Sequence, residues 1–238
     1  VTSAAEPGGV EGVLIYVYLW DETGWGWTYV DSNNTASDGT YEVGGLEAGI
    51  YLVAFIPPLD SFYMREYYND KRSLESANNV YVELGQTTSA IDAILEEGGK
   101  ISGTVTSATE PGGVQGVDVL VYDQDLNQVA SGWTDGYGYY ETEAMPPGDY
   151  KVVFNPWESV YMEEWYQSKL SFGSADWVSV MAGATTADID AVLDVAGSIS
   201  GRVTGALNPG GVPYVLVSLY SVDDPLDPVT STMTSSQD

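Results

Sequence analysis

The strongest constraint on this chain is that it repeats itself. The segment VTSAAEPGGVEGV at residues 1–13 returns as VTSATEPGGVQGV at residues 105–117, with eleven of the thirteen positions identical. A more divergent version, VTGALNPGGVPYV, occupies residues 203–215. Matches that recur at a fixed spacing are typical of tandem structural units. The fold must therefore be one that the chain can build once per repeat.

Two further matches give the repeat length. YMREYYNDK at residues 63–71 returns as YMEEWYQSK, and GQTTSAIDAIL at residues 85–95 returns as GATTADIDAVL, both at an offset of 98. We therefore divide the chain into repeat 1 (1–97), repeat 2 (98–196) and the opening part of repeat 3 (197–238). Compared with repeat 2, repeat 1 lacks part of its first strand, and repeat 3 carries only three strands. We expect a longer parent protein with further repeats; completion of repeat 3 by another chain is the alternative.

Within one repeat the pattern predicts short β-strands. In repeat 2, Ile189, Ala191 and Leu193 alternate with polar residues such as Asp190, which is typical of a strand with one buried face. The predicted strands cover residues 100–107, 117–123, 128–134, 139–143, 149–155, 176–181 and 187–194. A short helical turn at residues 162–169 is the one other element that the sequence allows. Seven short strands separated by turns favour an all-β fold with an antiparallel β-sandwich in each repeat.

The repeated Pro-Gly-Gly phrase stands between the first two predicted strands. Pro111 fixes φ at one position of this connection, and Gly112 and Gly113 accept positive φ at low steric cost. Each repeat has to make the same turn, so each repeats the phrase. We interpret it as a turn and not as a binding site.

Three motifs of repeat 2 resemble a known family. The segments ISGTVTSATEPGGVQGVDVLVYD, TDGYGYY and MPPGDYKVVF are similar to those of the carboxypeptidase regulatory-like domain. The resemblance covers nearly all of repeats 1 and 2 and the opening of repeat 3. It implies tandem seven-stranded antiparallel β-sandwiches of the Ig-like or transthyretin-like kind. It also implies accessory or structural modules of secreted and cell-surface proteins, in which any peptidase chemistry belongs to a different domain.

Composition excludes several classes of function. The chain has no cysteine and no histidine, which excludes disulfides, thiolate or imidazole metal sites and a Ser–His nucleophile. Its 7 Lys and Arg against 35 Asp and Glu give a net charge of −28, which repels nucleic acid and anionic lipid, and no apolar run is long enough to insert into a membrane. Glu66 and Glu164 occupy matching places in repeats 1 and 2, which is typical of packing residues. We predict that the chain is not an enzyme.

So acidic a chain attracts cations, and calcium is the one that the sequence suggests. DQDLN at residues 123–127 places oxygen ligands at alternate positions, as a calcium loop does, although Gln128 stands where an EF-hand has glycine. The candidate ligands are those of this loop and of its counterpart in repeat 3: Asp123, Asp125, Asn127, Asp223, Asp224 and Asp227. A calcium site and a solvated acidic turn both stay open for each loop. No other cofactor is predicted.

The chain is rich in aromatic residues, with 18 Tyr and 7 Trp. The candidates for a ligand or partner surface are five tryptophans: Trp20, Trp25, Trp27, Trp157 and Trp165. The cluster at residues 20–27 does not recur in repeat 2, which makes it the better binding candidate. The recurring Tyr68 and Tyr166, like Tyr63 and Tyr161, favour packing against the sandwich. Asn33 opens an Asn-Asn-Thr glycosylation sequon.

The linker between repeats 1 and 2 carries the functional prediction. Only EEGGK separates Leu95 from Ile101, and so short a connection restricts independent tumbling. A semi-rigid acidic rod predicts a secreted or cell-surface structural protein: a filament subunit or a stalk that associates with copies of itself or with neighbouring repeats. The alternative is an adhesin, or a carbohydrate-binding accessory module of a secreted hydrolase.

Overall fold

The computed structural model of the protein is all-β. It describes residues 1–4, 8–21, 26–109, 112–157, 160–206, 210–220 and 228–235. No residue in these ranges is helical, and within them no helix could cross a membrane. The chain forms two compact units, Val1–Val195 and Ala196–Asp238. The all-β class predicted from alternation and turn spacing is confirmed.

Repeat 1 folds as two facing sheets. Its strands are β1 (Thr2–Ser3), β2 (Leu14–Asp21), β3 (Gly26–Asn34), β4 (Gly49–Ile56), β5 (Glu66–Tyr67), β6 (Val80–Val82) and β7 (Ile94–Leu95). The larger sheet has the order β3-β2-β4-β5, with β6 also paired to β4, and the smaller sheet consists of β1 and β7. Ile15, Phe55 and Leu95 are fully buried between them.

Repeat 2 has the same larger sheet and a more complete second sheet. Its strands are β8 (Lys100–Ser107), β9 (Asp118–Tyr122), β10 (Gln128–Trp133), β11 (Tyr139–Glu141), β12 (Gly148–Asn155), β13 (Glu164–Trp165), β14 (Val178–Val180), β15 (Thr185–Thr186) and β16 (Ala191–Leu193). The larger sheet runs β10-β9-β12-β13, with β14 on β12; the second runs β11-β8-β15, with β16 also on β8. Ile101, Val119 and Phe154 are fully buried in the core between them.

The first strands of repeats 1 and 2 depart from the antiparallel expectation. β1 pairs in parallel with β7, and β8 pairs in parallel with both β15 and β16. The other ladders of the first unit are antiparallel. Alternation along one strand reports which face is buried, and it carries no information on the direction of the partner strand.

The last predicted strand, residues 187–194, is shorter than expected. Asp188 has φ 60°, a left-handed conformation that breaks an extended strand. The break separates β15 from β16. Ala90 has φ 61° at the matching place in repeat 1.

The helical turn that the sequence allowed at residues 162–169 is not formed. Trp165 and Lys169 exchange both backbone hydrogen bonds, at 2.8 and 2.9 Å, so a tight β-turn follows β13. Gln167 and Ser168 have φ 64° and 53°, which excludes a right-handed helix at this place.

The second glycine of the Pro-Gly-Gly phrase has a role that the sequence did not reveal. Gly112 has φ 126°, in agreement with the predicted turn; Pro111 lies outside the described residues. A Cβ on Gly113 would stand 1.8 Å from the carbonyl oxygen of Tyr137, so glycine is required for the close approach of two turns. In repeat 1 a Cβ on Gly9 would stand 1.8 Å from the carbonyl carbon of Asp38 and 2.0 Å from its oxygen.

One threonine closes the first hairpin in all three repeats. Its hydroxyl donates to a carbonyl at 2.6–2.7 Å and accepts a backbone N–H at 2.8–2.9 Å. The three sets of hydroxyl, carbonyl and N–H are Thr35 with Val10 and Val13, Thr134 with Val114 and Val117, and Thr234 with Val212 and Val215. The turn geometry therefore recurs in repeat 3.

The second unit contains β17 (Leu216–Tyr220) and β18 (Pro228–Met233), paired as an antiparallel hairpin. Leu216, Val217 and Leu219 of β17 are exposed. Completion of this hairpin by further chain stays a prediction.

Candidate interaction surfaces

The extended hairpin of β2 and β3 carries a row of aromatic rings. Ile15 and Val17 of β2 point into the core, so Tyr16, Tyr18 and Trp20 lie on the opposite, outward side of this strand. The backbone register places Tyr18 opposite Tyr29 and Trp20 opposite Trp27. We call the five outward rings the aromatic hairpin face: Tyr16, Tyr18, Trp20, Trp27 and Tyr29.

The rings of this face pack edge to face and leave part of their surface open. The centroids of Trp20 and Trp27 are 5.1 Å apart, and those of Tyr16 and Tyr29 are 5.6 Å apart. Trp20 is 42% exposed and Tyr29 is 52% exposed. Partial burial and neighbouring tyrosines raise the pKa of Tyr18, so its hydroxyl stays neutral. A row of neutral rings can stack on a sugar or cover an apolar patch of a partner.

The structure brings together two of the predicted tryptophans and adds three tyrosines. Trp20 and Trp27 form one cross-strand pair, whereas Trp25 lies outside the described residues. The tyrosines of the face were not selected from the sequence. The alternation of aliphatic and aromatic residues in LIYVYLW could have predicted them. Every second residue of a strand faces the same side, so Tyr16 and Tyr18 share a face with Trp20.

The other two predicted tryptophans occupy different environments. Trp157 is 72% exposed. Trp165 is half-buried, with its ring centroid 5.8 Å from Tyr122 and 5.5 Å from Phe172. Trp165 therefore packs within repeat 2, and among the described residues the two tryptophans share no ring contact.

Lys151 lies on the outer side of β12, which is covered by aromatic side chains and is not exposed to solvent. Its ammonium lies 4.5 Å from the ring centre of Phe172 and 4.6 Å from that of Trp177, and it donates to the carbonyl oxygen of Phe172 at 2.5 Å. Contacts of this kind stabilise a desolvated cation. Lys151 and Val153 are buried on the side opposite the core, because the segment after β13 covers this part of the sheet.

The recurring tyrosines pack against the sandwiches. Tyr63 and Tyr68 lie half-buried on the core of repeat 1, and Tyr161 and Tyr166 do the same on that of repeat 2. These contacts agree with the packing role expected from their recurrence.

The predicted calcium loop is held by its own hydrogen bonds. One carboxylate oxygen of Asp123 accepts the N–H groups of Asp125 and Asn127, both at 2.9 Å, and the other accepts the Asn127 side-chain amide at 2.9 Å. These bonds lower the pKa of Asp123. The three candidates of repeat 3, Asp223, Asp224 and Asp227, lie outside the described residues. Within the described ranges no three acidic side chains converge as a metal site would require, and calcium binding stays a prediction.

Asn33 lies exposed on β3, and its side-chain amide donates to the carbonyl oxygen of Glu42 at 2.7 Å. The threonine of its sequon is Thr35, whose hydroxyl closes the first hairpin. The equivalent threonines of the other repeats do the same without a sequon, so this threonine has a structural reason to be present. Glycosylation of Asn33 stays a prediction.

Glu66 and Glu164 are buried at matching positions of β5 and β13. Burial raises the pKa of Glu66 to about 7 and also raises that of Glu164. Each accepts a backbone hydrogen bond, Glu66 from Ile94 and Glu164 from Val192. Their equivalence indicates a structural role repeated once per sandwich.

These features define a tandem β-sandwich protein with an outward aromatic surface. Residues 100–193 match the family model of the carboxypeptidase regulatory-like domain, which confirms the resemblance seen in the motifs of repeat 2. No curated protein matches the chain.

Several solved structures are similar to the chain at low identity. The Bacillus anthracis TIE protein is 16% identical over 97% of this chain and 40% of its own, with a TM-score of 0.33; the present chain thus spans less than half of that protein. GBS52, the minor pilin of Streptococcus agalactiae, is 14% identical over 83% of this chain and 89% of its own, with a TM-score of 0.30. The shaft pilin spaA from Lactobacillus rhamnosus GG is 9% identical over 80% and 87%, with a TM-score of 0.34. Similarities this distant do not define the function of this chain.

Proposed function

We propose that the chain is a structural segment of an extracellular protein, in which tandem β-sandwiches stack into a semi-rigid rod. It would act as part of a filament or a cell-surface stalk and associate with neighbouring repeats or with copies of itself. The observation that supports this proposal is the bonded junction between repeats 1 and 2. Neither a catalytic step nor a cofactor is part of the proposal.

The linker at this junction is hydrogen-bonded to both repeats. The N–H of Gly98 donates to the carbonyl of Phe62 in repeat 1 at 2.7 Å, while its own carbonyl accepts the N–H of Gly183 in repeat 2 at 2.8 Å. Gly99 and Met145 exchange two backbone bonds of 2.9 Å. A linker with its backbone groups paired on both sides cannot act as a free hinge.

Side chains add a second set of contacts across the junction. The ammonium of Lys100 is buried; it pairs with Glu141 at 2.6 Å and donates to the carbonyl of Leu59 in repeat 1. The same ammonium lies 5.4 Å from the ring centre of Phe62. Arg65 of repeat 1 approaches Glu143 of repeat 2 at 3.8 Å, an exposed pair that adds little. The buried cation therefore ties a loop of repeat 1 to the first strand of repeat 2.

Small-angle X-ray scattering tests the proposed rigidity. We expect residues 1–195 to show one fixed maximum dimension. Insertion of Gly-Gly-Ser-Gly-Gly-Ser between Glu97 and Gly98 should increase that dimension and add the scattering profile of a flexible chain. Lys100→Met should loosen the junction in the same direction. Identical scattering before and after the insertion would contradict a rigid junction. Electron microscopy of the secreted parent protein would then distinguish filament, stalk and isolated particle.

The aromatic hairpin face supports a second candidate function, a carbohydrate-binding or adhesive module. Exposed tryptophan and tyrosine rings in one row provide the stacking surface that sugars require. Binding to insoluble polysaccharides should fall at least tenfold in Trp20→Ala or Trp27→Ala and be unchanged in the matched surface variant Trp157→Ala. Equal binding by all three variants, or no binding by the parent chain, would exclude this candidate.

A further inference from the structure

The hairpin of β2 and β3 is longer than its counterpart in repeat 2. The equivalent threonines Thr35 and Thr134 align Tyr29 with Gln128, the first residue of β10. Both strands have a register shift directly after this point, which supports the alignment. Residues 26–28 therefore extend β3 beyond the place where β10 begins, and this extension is specific to repeat 1.

The extended strand lies at the edge of its sheet. Among the described strands, β3 pairs with β2 alone. Thr28, Tyr29 and Val30 are exposed in succession, and neighbouring side chains of a strand point to opposite sides, so both faces of β3 are open to solvent. An edge of this kind presents unpaired backbone N–H and C=O groups to a further strand.

The second half of β3 is capped by its own side chains. A carboxylate oxygen of Asp31 accepts the N–H of Ser32 at 2.8 Å, and the side-chain oxygen of Asn33 accepts the N–H of Asn34 at 2.8 Å. These bonds occupy donors that an added strand would need. Within the described part of the chain, residues 26–30 are the section of this edge without such a cap.

The equivalent edge of repeat 2 is closed by its own backbone. The carbonyl of Ser131 in β10 accepts the N–H of Glu143 at 3.1 Å. A Cβ on the next residue, Gly132, would stand 3.0 Å from the carbonyl oxygen of Glu141, so the chain after β11 lies directly against β10. The open edge is therefore a property of repeat 1, in the part of the hairpin that repeat 2 lacks.

The sequence of this edge does not prevent pairing. Residues 26–30 read Gly-Trp-Thr-Tyr-Val, without a charged residue or a proline, and these are two common means by which proteins keep edge strands from pairing. The strand beside it is also uncharged over Leu14–Trp20. The hairpin edge is thus a neutral patch on a chain with a net charge of −28.

This charge distribution identifies the partner. In a two-fold contact the same patch of both copies meets, so every charge in the patch faces a like charge. Two copies of a chain with a charge of −28 can therefore approach closely only through an uncharged surface. A basic partner would gain no electrostatic attraction at such a patch.

We propose that two copies of this chain associate by antiparallel pairing of their β3 edges, with Thr28 opposite Thr28 of the second copy. This register places Trp27 opposite Tyr29 of the second copy, with about 4.5–5.5 Å between their Cβ atoms. The two aromatic hairpin faces then lie on the same side of one continuous sheet. The inference rests on the self-association in the proposed function and names its surface, whereas the rigidity of the junction between repeats 1 and 2 does not depend on it.

Charge substitutions at residue 28 of the full chain test this register. Thr28→Lys and Thr28→Glu each place two like charges opposite one another, and we expect each to weaken association about tenfold or more in sedimentation equilibrium at physiological salt. An equimolar mixture of the two variants should associate as the parent does, because Lys then faces Glu. Thr28→Val adds no charge and should also associate as the parent does.

Cysteine substitution gives a direct readout, since the chain has no cysteine of its own. Thr28→Cys should form a disulfide-linked dimer on mild oxidation, because directly opposite residues of antiparallel strands lie within reach of a disulfide. Gln128→Cys, at the equivalent edge of repeat 2, should remain monomeric. Amide hydrogen exchange at residues 27–29 of the parent should slow as its concentration rises, and exchange at residues 128–130 should not change.

Three results would overturn the proposal, and each leaves a different conclusion. A monomeric parent chain would exclude self-pairing, and polysaccharide binding by that monomer would favour the carbohydrate candidate for the same hairpin. Association that is unchanged in both charged variants would exclude this surface and leave the self-association of the proposed function to another one. Failure of the mixed variants to associate would exclude the pairing of residue 28 with itself.

Discussion

Glu66 shows how a single buried carboxyl links this fold to pH. Its side chain is almost fully buried, and its Oε1 atom has no hydrogen-bond partner among the described residues. Loss of hydration raises its pKa to about 7, although Arg72 opposes the shift. The unfolded chain releases this proton near pH 4.5, the ordinary value for glutamate. Stability therefore falls as the pH rises from about 4.5 to about 7.

Replacement of Glu66 by Gln should remove this pH dependence. Above pH 7 we expect the variant to be more stable than the parent by on the order of 2 kcal/mol, because it no longer buries a charge. At pH 4 the two should be equally stable, since both side chains are then neutral. Urea unfolding between pH 4 and pH 8 measures the difference.

The matched variants show whether burial is the cause. Glu164→Gln in repeat 2 should act in the same direction, because burial also raises the pKa of Glu164. Glu163→Gln removes an exposed carboxyl next to it and should have little effect of its own. Equal effects from Glu163 and Glu164 would indicate general charge repulsion instead.

Thr134 is the second test at the residue scale. Its fully buried hydroxyl bonds the Val114 carbonyl and the Val117 N–H. Thr134→Val keeps the shape and leaves both backbone groups unpaired, so we expect a loss of about 2 kcal/mol in unfolding free energy. Thr28→Val on exposed β3 should change stability by less than about 0.5 kcal/mol. Thr35 makes the equivalent bonds in repeat 1, so its replacement would also destabilise the fold. Glycosylation at residue 33 is therefore better tested with Asn33→Gln than by changing Thr35.

At the scale of elements, the residue directly before β8 affects how repeats 1 and 2 are joined. A Cβ on Gly99 would stand 2.1 Å from the carbonyl oxygen of Met181. Gly99→Ala must therefore displace backbone, and we expect a loss of about 2 kcal/mol or more in unfolding free energy together with looser contact between the repeats.

The matched control for this element is Gly173→Ala. No atom lies within 4 Å of a Cβ added there, and its φ is not in the left-handed region. Thermal unfolding followed by tryptophan fluorescence should separate the two variants clearly. If Gly99→Ala melts like Gly173→Ala, the junction is not tightly packed.

For the whole molecule, the charge of −28 predicts stability that depends on cations. Calcium should raise the melting temperature at millimolar concentration and a chelator should lower it, because neutralised carboxylates repel one another less and a bound ion favours the folded state. Calorimetry with calcium chloride, and with sodium chloride at the same ionic strength, measures both effects. An equal rise with sodium would show that screening alone is responsible, and Asp123→Asn would then leave the calcium response unchanged.

Much of this architecture could be predicted because the sequence contains two nearly complete tandem repeats. Recurrence of segments at a nearly fixed spacing identified the repeats, and alternation at Ile189, Ala191 and Leu193 identified buried strand faces. The prediction failed where a contact between distant segments decides the conformation. The turn at Gln167 and Ser168 resembled a helix because local composition does not show that Trp165 pairs with Lys169.

The sequence by itself determined the all-β class, the turns and the closeness of repeats 1 and 2, since periodicity, Pro-Gly chemistry and linker length are local properties. Only the tertiary structure decided that first and last strands pair in parallel and that Lys151 is covered by aromatic rings. It also decided that the ammonium of Lys100 is buried between Glu141 and the carbonyl of Leu59 in repeat 1. These features depend on which distant segments meet, and the free energy of burying them belongs to the assembled sandwich rather than to any one segment.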